Sequence, residues 1–324
     1  MSGNNNMDKA GTVDPLVSVI MNCRNGERYL REALDSVYAQ SYTNWEIIFW
    51  DNASTDGSAD IAKSCGPKLR YFKSEQSFPL GKARNLAIAE AGGQYLAFLD
   101  CDDKWLPKTL ERQVSALERR RDVDFIYGNY FRLIMPRTDN LILALSGRQP
   151  EGNVFGNFLR NYPVCQQTVM LRTDAIKRLD AKFDECLDMS EEFDLFMRIL
   201  LRSQALYIDE PLAIYRIHRN TGSQRLYDKH PVEMKYVLDK LKKIDDSIER
   251  SYASQIRYYE AKLAYWQAKV YMEKNDPRSA RSELAAYRFV TPIFFILYIL
   301  TYLPCAAWKW LHGRKMKGSL KWIK

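Results

Sequence analysis

The chain has 324 residues, of which 46% are hydrophobic and 27% charged, a make-up that excludes disordered and collagen-like chains. Its net charge of +8 is unevenly divided: residues 1–224 carry 28 basic and 30 acidic side chains, and residues 225–324 carry 20 and 10. The first part is therefore no basic nucleic-acid-binding domain, and the excess describes a basic tail with an anionic partner.

The polar start, residues 1–14, has no apolar core segment and reads as a mobile arm rather than a signal peptide. Residues 17–22 form a short β-branched run that predicts a strand. Leu30, Ala33, Leu34, Val37 and Tyr38 then recur at helical spacing within 27–40. A second strand over 45–50 ends at Asp51, and Ser54-Thr55-Asp56-Gly57 is turn and cap chemistry before a short helix over 58–64. A third strand covers 69–72. The Ala-rich helix over 81–91 is expected to close on Gly92-Gly93, and a fourth strand over 95–99 runs into Asp100-Cys101-Asp102-Asp103. Pro107 opens a helix to about Arg120. Such alternation of strand and helix predicts a mostly parallel sheet with helices on its faces.

Patterning is weaker over 124–172. An amphipathic helix follows over 191–201, then two short strands over 206–208 and 212–217. The segment 231–274 reads as long and helical, and Asn275-Asp276-Pro277 is a turn before a further helix, the two suited to one hairpin. Six cysteines (23, 65, 101, 165, 186 and 305) make no C-x-x-C pair, which argues against a zinc site or disulfide framework and fits reduced thiols.

In an open parallel sheet, ligands bind beyond the carboxyl ends of the strands. Three such ends are polar here: Asn22 to Asn25, Asp51-Asn52, and Asp100-Cys101-Asp102. Crowded carboxylates repel one another unless a cation compensates, and a hard divalent ion takes oxygen ligands while keeping phosphate oxygens in its shell.

The segments Met21-Asn22-Cys23-Arg24-Asn25-Gly26, Asp51-Asn52-Ala53-Ser54-Thr55-Asp56-Gly57-Ser58, Gly81-Lys82-Ala83-Arg84-Asn85 and Phe98-Leu99-Asp100-Cys101-Asp102-Asp103 occur in an order and at spacings that resemble the family 2 glycosyltransferases of the GT-A fold. The resemblance implies a Rossmann-like α/β domain over 15–225, a nucleotide-sugar donor, and a Mn2+ or Mg2+ cofactor. It implies that Asp51 bonds the nucleotide base, that Asn22 and Arg24 line the nucleotide, and that Lys82 and Arg84 approach base or diphosphate. Asp100 would contact ribose and metal, Asp102 would bind the metal, and Asp103 would support the loop. Ser190-Glu191-Glu192-Phe193-Asp194 resembles the family's acidic segment that supplies the catalytic base. Glu192 is the matching position, with Glu191 beside it and Glu standing where Asp is common, so both remain candidates. Tyr215-Arg216-Ile217-His218-Arg219 resembles the closing motif, with His218 as a further metal ligand and Arg216 and Arg219 as diphosphate partners. The resemblance implies inversion at the anomeric centre, and no Q-x-x-R-W segment occurs, which favours transfer of a single sugar. A sugar-phosphate nucleotidyltransferase would need a Gly-rich phosphate loop after the first strand, and 21–26 holds one glycine. A non-catalytic sugar-nucleotide-binding subunit of a glycan assembly complex is the alternative.

Beyond a helical extension (226–288), residues 289–308 carry no formal charge, and no acid follows Glu283. Basic residues flank the run on both sides, and Pro292 and Pro304 interrupt it, which disfavours a simple crossing. The expectation is a tail, 289–324, lying on the cytoplasmic face of a membrane. A lipid-linked glycan acceptor and an oligomer contact through the late helices fit the same tail.

Overall fold

The computed structural model describes residues 14–136, 140–218, 226 and 228–315. Strand β1 (Val17–Cys23) alternates its side chains between two cores. Val17, Val19 and Met21 pack under helix α1 (Glu27–Tyr38), and Ile20 enters the opposite core. The same alternation recurs in β4 (Tyr95–Phe98), where Leu96 and Phe98 share the core of Ile20. Between them come β2 (Trp45–Asp51), α2 (Ser58–Lys63), β3 (Leu69–Lys73) and α3 (Leu80–Ala89). β3, β2, β1 and β4 lie side by side and parallel. The acidic strand ends 51 and 100 therefore open on one edge of the sheet.

The glycines after α3 do something other than the expected capping. The helix ends at Glu90, and neither Gly92 nor Gly93 adopts a positive φ. Gly93 instead lets two backbones touch: a Cβ there would lie 2.6 Å from the Ser18 nitrogen and 2.8 Å from the Leu16 oxygen.

After β5 (Lys104–Trp105) and α4 (Thr109–Arg119), the weakly patterned middle of the chain proves to be ordered sheet. β6 (Val123–Ile134) pairs with β7 (Leu141–Leu143), and α5 (Phe155–Arg160) and a 3-10 turn (Gln166–Thr168) lead to β8 (Met170–Arg172), which runs antiparallel to β4. Helices α6 (Thr173–Lys177) and α7 (Glu191–Leu200) follow. The two short strands expected over 206–208 and 212–217 are one, β9 (Gln204–Ile217), parallel to β6. Pro211 interrupted the pattern because it donates no N–H. The ladder absorbs it with register shifts around Gly128 and Asn129.

The long helix expected over 231–274 is divided into His230–Ile244, Ile248–Ser251 and Ala253–Glu273, broken where the Asp245 carboxylate accepts the Ser247 N–H at 2.8 Å. Helix Pro277–Ala285, capped by Asp276, folds back on Ala253–Glu273. An apolar helix, Pro292–Leu300, and a basic one, Cys305–Lys315, follow. Helix Ala253–Glu273 serves two cores: Ile256, Tyr259 and Leu263 complete the one beneath α7, while Ala261, Ala264 and Ala268 pack against Leu284, Phe294 and Trp308.

Candidate active site

The loops after β1 and β2 are stitched together by short polar side chains. Asn25 and Ala53 both sit at positive φ (56° and 59°), which side-chain bonds across the gap support. The Asn25 N–H donates to Ser54 Oγ, the Gly26 N–H to Ser58 Oγ, and the Thr55 N–H to Asn25 Oδ1, at 2.9 to 3.1 Å. Asp56 accepts the Glu27 N–H and Glu27 accepts the Gly57 N–H, both at 3.0 Å, so each helix start is closed by the other's carboxylate. The result is a rigid wall for a cleft of about 670 Å³ lined by Arg24, Asn25, Gly26, Arg28, Tyr29, Cys101, Asp102 and His218.

Across this cleft stand the three carboxylates after β4. Ligand atoms of Asp100, Asp102 and Asp103 lie within 4.8 Å of one another. Burial and the Asp100 charge push the Asp102 carboxyl above its ordinary range, with His218 opposing. His218 Nε2 lies 2.8 Å from Asp102 Oδ2. Asp103 is enclosed, and burial followed by the charges of Asp102 and Asp100 raises it well above a normal carboxyl. Its Oδ1 accepts the Arg216 N–H at 2.7 Å, while its buried Oδ2 has no hydrogen-bond partner. These residues fit a hard divalent cation: the donors are carboxylate oxygens, and the raised proton affinity of Asp102 and Asp103 is relieved by any positive charge placed among them. Asp100 and Asp102, both partly exposed, would face such an ion, and Asp103 anchors the loop from behind.

Arg84 ties the carboxylates to α7. It is 3% exposed, and its Nη2 donates to Asp100 Oδ1 at 3.2 Å and to Gln166 Oε1 at 2.5 Å, while Nη1 donates to Glu191 Oε1. Gln167 Nε2 holds the other Asp100 oxygen at 2.7 Å. The beginning of α7 is fixed from the next helix by Glu233, which accepts the N–H groups of Asp188, Met189 and Ser190 at 2.9 to 3.0 Å. On this platform the two glutamates part company. Glu191 is buried against Arg84, whereas Glu192 is partly exposed. Desolvation first, then the charge of Glu191, pushes the Glu192 carboxyl up to about 8, with Arg84 opposing. A raised carboxyl with one face open is suited to proton transfer near neutrality.

Several of the other candidate donor residues are held by protein contacts. Asp51 is fully buried, its oxygens accepting the Ser54 N–H (2.7 Å) and the Tyr71 hydroxyl (2.6 Å), so it braces the β2 turn. Arg216 is buried behind the acidic loop. It donates to the Asp102 carbonyl at 3.0 Å and to Glu32 at 2.5 Å, over the Tyr29 ring. Lys82 lies over the Phe78 ring, on the far side of α3 from Arg84. Arg24 lines the cleft. Asn22, at the end of β1, is 9% exposed with its Nδ2 unpartnered. Arg219 is outside the described residues. Arg28 and Tyr29, in the first turn of α1, enter the cleft without having been singled out from sequence.

With this geometry in hand, known proteins were compared. A family model described as glycosyl transferase family 2 matches residues 18–179. An uncharacterized glycosyltransferase of Rickettsia typhi is 31% identical over 215 residues, 65% of this chain and 66% of that protein. The UDP-Glc:alpha-D-GlcNAc-diphosphoundecaprenol beta-1,3-glucosyltransferase of Escherichia coli is 35% identical over 118 residues, 36% of this chain and 46% of that one. Among solved structures, residues 1–349 of Staphylococcus aureus TarS with UDP-GlcNAc superpose with a TM-score of 0.68 at 17% identity, covering 94% of this chain and 91% of that one. A Pyrobaculum calidifontis mannosyltransferase with GDP-Man and Mn2+ gives 0.60 at 16%, covering 96% and 88%. Sheet order and the superposed neighbours give the GT-A fold. The match over half its length, read with the acidic strand end and the glutamate pair it positions, shows that the chain belongs to glycosyl transferase family 2.

Proposed function

We propose that this chain moves one sugar from a nucleotide-sugar donor, with UDP-sugars foremost, to an acceptor hydroxyl with inversion at the anomeric carbon. The observation that carries this is an acidic strand end (Asp100, Asp102) tied through Arg84 to the start of α7, where a partly open glutamate, Glu192, feels the Asp100 charge and has raised proton affinity. Arg24 and Arg28 at the mouth of the cleft supply positive charge for a diphosphate. Asp100 and Asp102, with His218 beside them, would hold Mn2+ or Mg2+, which supplies Lewis-acid stabilisation of a leaving diphosphate. Glu192 takes the proton of the acceptor hydroxyl as the new glycosidic bond forms. Glu191, locked to Arg84, keeps α7 in place and its charge raises the proton affinity of Glu192.

The test is thermal stabilisation by Mn2+ with a panel of nucleotide sugars, followed by transfer assays. Wild type is expected to be stabilised by the metal and at least one UDP-sugar together, and Asp102→Asn to lose most of that shift. An equal shift in the variant would remove the metal assignment. Donor binding without hydrolysis or transfer over a broad acceptor panel would favour a non-catalytic subunit.

The acceptor class we propose is a lipid-linked glycan, met at the cytoplasmic face of a membrane. The Escherichia coli relative acts, by its name, on a diphosphoundecaprenol-linked sugar. Phe289, Phe295, Ile296, Ile299, Tyr302 and Trp310 of this chain are exposed, beside Arg281 and Arg288, which lie against aromatic rings. Among the described residues no helix is long and apolar enough to cross a membrane. The full chain is expected to sediment with vesicles containing phosphatidylglycerol and to remain in solution with phosphatidylcholine alone. Equal recovery with both would defeat the surface-binding proposal.

A further inference from the structure

Cys23 ends β1, and Cys101 stands between Asp100 and Asp102. The parallel register that pairs Val17 with Tyr95 and Ile20 with Phe98, continued three residues, sets Cys23 beside Cys101. The Leu99 N–H, donating to the Ile20 carbonyl at 3.1 Å, keeps the chain in that register past the end of β4. Both side chains point to the same face: Cys23 belongs to the core under α1, and Cys101 packs against that core. Gly26 covers the pair, and a Cβ on it would lie 2.8 Å from each sulfur. Neighbouring strands run about 4.8 Å apart, inside the Cα separation of roughly 4.4 to 6.8 Å that a disulfide accepts. Both cysteines are free thiols; Cys23 is buried, while Cys101 is partly exposed and lines the cleft. Sequence spacing concealed the pair, since 77 residues separate the two cysteines.

We propose that Cys23 and Cys101 form a redox-modified thiol pair in the floor of the cleft, closed to a disulfide by a peroxide that enters through the cleft. One thiol of the pair attacks a peroxide oxygen; the O–O bond breaks, one water leaves, and that sulfur becomes a sulfenic acid. The other thiol then attacks this sulfur, the S–O bond breaks, and a second water carries off the oxygen with the proton of the attacking thiol. Two electrons pass from the sulfur pair to the peroxide, and two thiol hydrogens end in water. A thiol reductant reverses the change by exchange. Closing the bond draws Cys101 toward β1. The carboxylates on either side of it, Asp100 and Asp102, are re-aimed with it, so oxidation acts on the cation-binding edge of the cleft.

The experiment uses the full chain, treated with hydrogen peroxide, with remaining thiols alkylated and non-reduced peptides mapped by mass spectrometry. The expected result is a linked Cys23–Cys101 peptide that dithiothreitol dissolves. Mn2+ affinity is expected to weaken by about tenfold or more in the oxidised protein, the scale of disturbing a metal's supporting residues. Cys23→Ala should abolish the linked peptide, whereas Cys186→Ser should leave the linkage intact. Cys23 and Cys101 both remaining alkylatable after peroxide, or Cys101 pairing with a different cysteine, would overturn the proposal. The peptide map is read without donor or acceptor, so it stands apart from the outcome of the transferase assays.

Discussion

Glu192→Gln is expected to lower kcat by about a hundredfold to ten-thousandfold, the usual contribution of a positioned base. The amide keeps the size and the partly exposed position of the side chain but cannot take a proton. Donor binding should persist, because the residues facing the donor side, Arg24, Arg28, Asp100 and Asp102, are untouched. Calorimetric titration with a nucleotide sugar, beside single-turnover transfer, separates the two effects. A variant with wild-type kcat would remove Glu192 as base. The pH dependence follows from the same environment. The carboxyl is pushed up to about 8, chiefly by desolvation and then by Glu191. The base works only when ionised, so the wild-type rate should climb with pH toward that value. A cation held at Asp100 offsets that residue's negative charge, which helps to hold the Glu192 proton, and moves the climb to lower pH. Stability runs the other way. A carboxyl whose proton affinity rises on folding favours the folded state below the unfolded value, and the advantage is lost as pH rises through about 8. Glu192→Gln should therefore gain stability relative to wild type as pH rises between those limits, while losing activity throughout.

Arg84→Met should destabilise the fold by about 3–5 kcal/mol, the penalty for leaving a buried ion pair with one partner. Glu191 would keep its charge in an enclosed site with neither oxygen bonded, since Oε2 already has no partner and Oε1 relies on Arg84. Gln166 would lose its donor, and Asp100 one of its two. Arg84→Lys keeps the positive charge but not the fork that reaches three acceptors, so an intermediate loss is expected. Urea midpoints measured for both variants check the order. The deficit of Arg84→Met should shrink as pH falls, because Arg84 favours ionised Glu191 while burial favours the protonated form. A midpoint within error of wild type at pH 8 would show that the guanidinium does not hold these elements together.

What could be read from sequence was whatever depended on short-range pattern. Alternation in 17–22 and 95–99 set both faces of the central sheet, and three acids packed after an apolar strand marked the cation edge. The glutamate choice was left open because Glu191 and Glu192 are neighbours on α7; only the position of Arg84, more than a hundred residues away, sorts one into the interior and leaves the other partly exposed. Arg84, Arg216 and Asp51 show the converse. Their motifs read as donor contacts, and only the fold shows the protein hydrogen bonds that each of them makes. β6 was lost in the weak pattern of 124–172 and β9 was read as two strands, because their pairing is distant in the chain and is shifted at Gly128 and Asn129 around Pro211.

Helix Ala253–Glu273 gives the molecule an architecture that the family match, ending at 179, does not reveal. One side of this rod seals the interior beneath α7 through Ile256, Tyr259 and Leu263; the other is the spine on which the terminal helices are mounted. A fragment trimmed to the conserved-looking half would meet water along a greasy slot where Tyr259 had been. Catalytic head and terminal helices are thus joined by a shared beam rather than a tether, and a load applied at one end is felt at the floor of the other.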